Sequence, residues 1–334
     1  MNTLIISTIG SHSALQILYG AKQEGFNTKV YCLRGREELY KRYPVAQEII
    51  LLDSYEDLLN LEPANNEIFI PHGTLIATLG KRALDIQIPV FGNKEGMHWE
   101  MVRENNLKLL KEANIRTPKS YQPDEIDKLV IVKFPGAKGG LGYFICSSQL
   151  EFEQRISEHL SNGLITKEDA KLAQIQEYVV GVTMYPHYFH SVIHERVEML
   201  GIDRRYETNA DALGRLSQEN YKIDPTYKVV GNQPLIARES LLPEILECGD
   251  RLVDAAARLF SPGLLGPFCI EMSITPEEIV AFEFTSRIVA GTTLYTNGSP
   301  YSQFLFDENM SMARRIGREI KQAMGQRRLR ELLT

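Results

Sequence analysis

The chain has 334 residues, enough for two or three domains with a real core, and its 43% hydrophobic and 24% charged residues are those of an ordinary soluble globular protein. The net charge of −6 speaks against a general nucleic-acid binder, and no apolar run is long enough for a transmembrane helix, so neither nucleic acid nor membrane is an expected partner. The amino terminus, MNTLIISTIGSHS, lacks a basic leader, and Cys32, Cys146, Cys248 and Cys269 fit no zinc spacing; reduced, buried thiols in a cytoplasmic protein are expected.

In chain order, the pattern predicts a strand over Leu4–Ser7, a helix over Ser13–Glu24 stopped by Gly25, and a strand over Lys29–Leu33. Further short strands are expected over Glu48–Leu52, Glu67–Pro71 and Ile88–Phe91, with helical stretches between them. This α/β alternation implies a parallel sheet, whose ligands gather at the carboxyl ends of its strands. Two loops fall there, TIGSHSA and PHGT.

From Gly92 the character changes. A single helix is predicted over Trp99–Ala113, then the breaker NIRTPKSY and two β-rich runs around a glycine-rich loop, Gly136 to Gly142. A helix over Glu151–His159, the strand AQIQEYVVG and strands over Thr183–Leu200 follow, and Asp203–Asp224 reads as polar and loop-rich. Leu241–Phe260 reads as helix, Pro267–Ile288 as a hairpin and Met310–Leu332 as a final amphipathic helix.

The hairpin carries the strongest chemical signal. If Thr275 pairs with Ile279 across the Thr275-Pro276-Glu277-Glu278 turn, Glu271 stands opposite Glu283. Opposed side chains lie about 5 Å apart, where like charges destabilise a sheet unless something offsets them. A divalent cation would, and Mg²⁺ takes one or two carboxylates, with phosphates and water completing its shell. The competing reading is a solvated face.

Lys133, near the end of LVIVKF, is costly to bury without an anion; the alternative is an edge-strand lysine reaching water. In the following loop, glycines let backbone N–H groups approach phosphates and Lys138 adds charge, so a mobile flap closing over a phosphate-bearing ligand is expected. The strand end QEYVVG offers backbone groups to a base edge. His187, His190 and His194 are read as ordinary strand histidines, with His190 and His194 on opposite faces. The arginines of the last helix are read as a solvated face or an oligomer contact. Arg204 and Arg205 fit a phosphate clamp or a surface salt bridge equally.

The order Lys108, the breaker from Asn114 to Pro118, Lys133, the glycine loop, QEYVVG, then Glu271, Glu283 and Arg287 resembles the ATP-grasp superfamily. The resemblance implies that Lys108, Lys133, Lys138, Gly139, Gly140 and Gly142 hold the ATP phosphates and that Glu177, Tyr178 and Val179 run along the adenine. It also implies that Glu271 and Glu283 bind Mg²⁺ or Mn²⁺ and that Arg287 is catalytic. Two positions depart from the usual pattern: Thr285 replaces an Asn, and Val182, Thr183 and Met184 follow Gly181 where many members carry a ribose-binding Glu.

Seven segments, from GSHSALQILYGAKQEGF through VEMLGIDRRYETN and FEFTSRIVAGT to SPYSQFLF, are similar to the archaeal formate-dependent 5-formaminoimidazole-4-carboxamide ribonucleotide synthetase family. This similarity implies an α/β architecture: an N-terminal Rossmann-like parallel-sheet domain over residues 1–96, then an ATP-grasp fold of two α+β subdomains over 97–334, with a small lid subdomain at about 119–184. The implied reaction converts ATP, formate and 5-aminoimidazole-4-carboxamide ribonucleotide (AICAR) to ADP, phosphate and formyl-AICAR by way of formyl phosphate, in purine biosynthesis. His12, Thr74 and Asn232 match the AICAR-binding positions, and a homo-oligomer is expected. The alternatives are an ATP-grasp carboxylate–amine ligase for another substrate and a non-catalytic nucleotide-binding protein. The retention of Glu271, Glu283 and Lys133 argues against the latter.

Overall fold

A computed structural model describes residues 4–64, 66–134, 143–208 and 229–334 of the chain. The fold is mixed α/β, with one parallel and two antiparallel sheets among the described residues. The parallel sheet is formed by β1 (Ile5–Ile9), β2 (Asn27–Leu33), β3 (Glu48–Leu52) and β4 (Glu67–Phe69), in the order β3-β2-β1-β4. β1 and β2 are buried along nearly all their length, as interior parallel strands covered on both faces are. Even the buried Thr8 is satisfied, its Oγ1 donating to the Ile70 carbonyl at 2.8 Å. Because β4 lies beside β1, the loops after both strands are neighbours at one end of the sheet.

Ile88–Phe91 does not become the expected strand. Pro89 has no N–H to give to a ladder, and only isolated bridges form, Phe69 to Val90 and Phe91 to Leu333. Leu333 belongs to a chain end that returns to this sheet. The helix Met312–Gly325 packs on the helix Ala14–Gln23 at Gly20, where a Cβ would lie 2.4 Å from the Arg314 nitrogen, so only glycine permits the approach. The final helix is also shorter than its pattern suggested: it stops at Gly325, Arg327 takes a left-handed backbone (φ 60°), and a separate turn follows at Leu329–Leu332.

The smaller antiparallel sheet holds β5 (Ser120–Tyr121), β6 (Val130–Lys133), β7 (Phe144–Cys146) and β8 (Gln174–Glu177), in the order β5-β8-β6-β7. The larger holds β9 (Val182–Ser191), β10 (Arg196–Glu207), β11 (Val229–Pro234), β12 (Gly266–Ile274) and β13 (Ile279–Thr285), in the order β11-β10-β9-β12-β13. On one face of the larger sheet the helix Leu242–Leu259 buries Ile245, Leu252 and Ala256 among Tyr188, Phe268 and Ile270. Each such Leu or Ile contributes about 1.5–3 kcal/mol through burial.

Three local expectations are corrected. The stretch expected as one helix is two, Lys94–Met101 and Arg103–Glu112, separated by the extended backbone of Val102. The stretch beginning at Asp203 does not start as loop: β10 runs on to Glu207 because it pairs with the distant β11, a partner local polarity does not reveal. The remainder, 209–228, lies outside the described residues. His194 sits in the turn between β9 and β10, its Nε2 3.0 Å from Gln322 Oε1, while His187 and His190 are on β9.

The arginines of the last helix are also internal partners. Arg314 and Arg318 bind Glu24 and Glu308, and Arg315, 1% exposed, is buried between Glu198 and Glu319. The four cysteines are free and buried. Among the described residues no helix is long and apolar enough to cross a membrane.

Candidate active site

A cleft of roughly 590 Å³ lies between the two antiparallel sheets, within the size range of small-molecule sites. Ile131 and Lys133 of β6, Gln176 and Glu177 of β8, and Tyr178 to Gly181 beyond it line one side. Tyr185 of β9, Arg205 of β10, Glu271 and Ser273 of β12, and Phe282 and Glu283 of β13 line the other. At Gly181 the connection into β9 runs so close to β12 that a Cβ would lie 2.5 Å from Ser273 Oγ and 2.6 Å from the Ile274 carbonyl. Glycine is required there by the approach of backbone to backbone.

Lys133 is not on an edge: β6 lies between β8 and β7. Its Nζ stands 6.0 Å from the Phe282 ring centroid, and burial lowers its pKa despite the opposing pull of Glu283 and Glu271. A half-buried ammonium facing an open cleft is a strong demand for an anion. Glu177 spends its side chain elsewhere, on a bidentate pair with Arg116 at 2.9 and 3.1 Å. What this segment presents to the cleft is therefore backbone and the walls of Tyr178 and Val179.

Glu271 and Glu283 do stand opposite each other, by a different register from the one expected. The turn end pairs Ile274 with Ile279, and a bulge between Glu271 and Met272 restores the opposition of the glutamates. The extra residue is Phe282, and the bulge puts both Phe282 and Glu283 on the cleft. The partners of the two carboxylates differ. Glu271 is bound fork to fork by Arg205, with Nη1 2.9 Å from Oε2 and Nη2 2.5 Å from Oε1. Glu283 makes no hydrogen bond or ion pair among the described residues and opens on the cleft. Its carboxyl is accessible, yet enclosing walls strip much of its bulk water; that desolvation, and then Glu271, raise its pKa to about 7.

The donor set fits a hard divalent cation shared with phosphates. Among the described residues no group of three or more His, Cys, Asp or Glu side chains forms a self-sufficient metal cage, whereas two opposed carboxylates suffice when phosphate and water complete the shell. Among the described residues, the buried hydroxyls of Ser273 and Thr285, each two residues along its strand from one glutamate, have no hydrogen-bond partner, leaving polar groups beside the pair unsatisfied.

Arg287 links this cleft to the parallel sheet. Its Nη2 lies 2.7 Å from Glu100 Oε1, and the other Glu100 oxygen accepts from the Ser286 backbone N–H at 2.9 Å. A Cβ on Gly73 would lie 3.3 Å from the Arg287 Cζ, so the guanidinium rests on the first turn of the helix Gly73–Leu79, which carries Thr74. That turn meets the loop after β1. Thr74 Oγ1 donates to Ser11 Oγ at 3.1 Å, and the His12 and His72 rings stack with centroids 5.7 Å apart. His12 has a left-handed backbone (φ 46°), which costs a β-carbon residue energy. It does not cap its helix: Ser13 is the cap position, without a side-chain cap bond. The His12 ring is open to solvent, but surrounding protein, then Arg287 and Arg205, push its pKa down to about 4, so it is neutral at physiological pH.

His72 gives a pH prediction. It is fully buried, its Nε2 3.0 Å from the Ile9 carbonyl, and burial lowers its pKa to about 3 against an ordinary 6.5. The unfolded chain binds the proton first, so the stability from neutral His72 is complete above pH 6.5 and is lost as pH falls toward 3. Urea unfolding at pH 6.5, 5.5 and 4.5 should show stability falling by up to about 1.4 kcal/mol per pH unit from this residue, and His72→Asn should flatten that slope. An unchanged slope in the variant would remove His72 as its source.

The structure thus brings His12 and Thr74 together, and Lys133, Glu177, Tyr178, Val179, Glu271 and Glu283 around one cleft, with Arg287 between the groups. Asn232 stands opposite Arg205 across β10 and β11, its Nδ2 donating to Asp203 Oδ2 at 2.6 Å; Asp203 Oδ1 is 2.6 Å from the buried His187 Nε2. Lys108 does not reach the cleft. It is exposed, with its Nζ 5.8 Å from the Trp99 ring centroid, and the cation of that helix which does line the cleft is Arg103. Lys138, Gly139, Gly140 and Gly142, with the expected flap, lie outside the described residues. Sequence reasoning missed Glu100, Arg103 and Asn106, whose amide pins the helix to β13 by bonding both the N–H and the carbonyl of Phe284. The apolar period of the helix separates buried from exposed faces but cannot show which polar position meets a strand.

Family models described as a protein of unknown function (DUF1246) and a domain of unknown function (DUF1297) match residues 6–121 and 151–334. A 5-formaminoimidazole-4-carboxamide-1-(beta)-D-ribofuranosyl 5'-monophosphate synthetase from Pyrococcus horikoshii is 49% identical over 337 residues, covering 98% of this chain and 99% of the relative. The crystal structure of an IMP biosynthesis protein, PurP, from Thermococcus kodakaraensis is similar at TM-score 0.79 with 30% identity, over 98% of this chain and 100% of that one. An N5-carboxyaminoimidazole synthetase from Staphylococcus aureus, complexed with ADP, shares the fold at TM-score 0.58 with 15% identity, over 86% of this chain and 72% of that one.

Proposed function

Because the chain belongs to the family of 5-formaminoimidazole-4-carboxamide-1-(beta)-D-ribofuranosyl 5'-monophosphate synthetases, carbon–nitrogen ligases with the ATP-grasp fold, we propose that it uses ATP to join formate to the amine of AICAR. The observation that carries this reading is the position of Arg287, bound to cleft-lining Glu100 on one side and resting on Gly73, at the start of the helix that carries Thr74, on the other. A nucleotide in the cleft and a ribonucleotide at the strand-end loops would meet at that guanidinium.

Formate is a poor acyl donor until its oxygen carries a phosphoryl group. Transfer of the γ-phosphoryl of ATP gives formyl phosphate and ADP, and attack of the AICAR amine on the formyl carbon expels phosphate. The protein's share is positioning and charge compensation. Lys133 and Arg103 face the polyphosphate, and the backbone of Glu177, Tyr178 and Val179 faces the adenine. Glu271 and Glu283 would hold Mg²⁺ or Mn²⁺, which when bound neutralises phosphate charge. Neutral His12, Thr74 and Asn232 hold AICAR, and the strained His12 backbone keeps its ring at the mouth of the loop. Residues 1–96 form the Rossmann-like unit and 97–334 the ATP-grasp unit, with the small sheet as lid; the protein acts in the cytoplasm as a homo-oligomer.

ADP release in the presence of AICAR should depend on formate, and absence of formate-dependent AICAR consumption would overturn the reaction. His12→Ala should raise the KM for AICAR by about tenfold or more and leave the KM for ATP within about twofold. A loss of stability with both Michaelis constants intact would return His12 to a purely structural role.

A further inference from the structure

A two-carboxylate cation site cannot form while one carboxylate is held by a guanidinium. Arg205 occupies both oxygens of Glu271, whereas Glu283, directly opposite, is open. The pair is inside the cleft, with Glu271 5% exposed, so it is no surface salt bridge. Arg205 is also held by something other than Glu271: its Cζ lies 3.9 Å from the Tyr185 ring centroid, a stacking contact that persists whichever anion it faces. It stands opposite Asn232 across the β10–β11 ladder, and its charge reaches His12. Arg205 therefore lies where the cation-binding carboxylates and the acceptor-side residues converge.

We infer that Arg205 holds the place of the divalent cation on Glu271 while the cleft is empty and, once displaced by it, becomes a ligand of the carboxylate substrate or its acyl phosphate. Removing a charge from a buried, hydrogen-bonded pair is costly unless a new partner replaces it. The exchange provides one on each side: the cation takes Glu271, and the anion brought beside it takes the guanidinium. An arginine suits both roles, because its planar fork matches a glutamate and a formate or acyl phosphate with the same two N–H vectors. The anion role rests on the formate reading above; the placeholder role does not.

The test separates them. Binding of Mn²⁺ to the protein with ADP is followed by the electron paramagnetic resonance of free Mn²⁺, in native protein, Arg205→Met and Arg205→Lys. With its competitor removed, the Met variant should bind Mn²⁺ about tenfold more tightly than native protein. The Lys variant, which keeps the charge without the fork, should lie between. In turnover, Arg205→Met should raise the KM for formate by about tenfold or more while that for ATP stays within about twofold, a split that a merely structural residue would not produce. Weaker Mn²⁺ binding in both variants would overturn the placeholder role, since Arg205 would then be supporting the carboxylates. An unchanged KM for formate would overturn the anion role. If native protein shows no formate-dependent turnover, the reaction and the anion role fall together, and the Mn²⁺ titrations still decide the first.

Discussion

Glu283→Gln should lower turnover by about a thousandfold while leaving the protein folded and, at pH 8, no less stable than native. The first half follows from charge. Gln has nearly the shape of Glu but supplies no negative charge to a cation shared with phosphates, and Glu283 is the free carboxylate of the opposed pair. The second half follows from linkage. The folded-state pKa of about 7 lies above the ordinary 4.5, so the folded protein keeps a proton that the unfolded chain releases between those values. The stability this group contributes is complete below pH 4.5 and is lost as pH rises through 7. Gln cannot ionise, so the variant escapes that loss. Steady-state kinetics at ordinary Mg²⁺, with thermal melts at pH 6 and pH 8, check both halves. Near-native turnover would end the metal assignment, and a melt well below native at pH 8 would contradict the account of the carboxyl's raised pKa.

Lys133→Met should weaken ATP binding and slow turnover by about a hundredfold or more, again without unfolding the protein. Lys133 points from an interior strand into the cleft, where burial depresses its pKa, so in the empty protein its charge opposes folding. Met keeps the length and packing against Phe282 and removes that cost. On the proposed function, what is lost is the charge offered to a phosphate in the cleft. Calorimetric titration with a non-hydrolysable ATP analogue reads this directly. Native affinity in the variant would mean that the ammonium serves the sheet and not the nucleotide.

The outline of the site was legible where the signal was local. The alternation of Phe268, Ile270 and Met272 with Cys269, Glu271 and Ser273 fixes a strand, and a turn of Thr, Pro and Glu fixes a hairpin. The opposition of Glu271 and Glu283 follows even though the register reaches it through a bulge. The strand-end rule likewise picked out the His12 and Thr74 loops from apolar runs alone, but their adjacency depends on β4 lying beside β1, which no local pattern states.

The partners were not legible. Arg205 is 66 positions from Glu271, and Glu100 is 187 from Arg287. Nothing near Glu100 distinguishes it from the exposed Glu104 one turn later. Lys108 was singled out by resemblance alone, and local pattern could not show that Asn106 pins this helix to β13 with Lys108 on its exposed face. The polar stretch after Asp203 hid a strand for the same reason: its pairing partner begins at Val229, on the far side of the undescribed residues.

The contact between the helices Ala14–Gln23 and Met312–Gly325 bears on how the chain folds as it leaves the ribosome. The apolar face formed by Ile17 and Ala21 is covered by Ala313, Ile316 and Ile320, and Glu24 is bound by Arg314, 290 positions downstream. Until those residues emerge, the first helix has an uncovered greasy face and its glutamate has no arginine. The parallel sheet, although made before the residues that cover it, is thus among the last parts to be fully closed. Such a long contact separation slows folding and leaves a nascent species prone to stick to its neighbours, so a chaperone that binds apolar helix faces would find its target in the helix Ala14–Gln23.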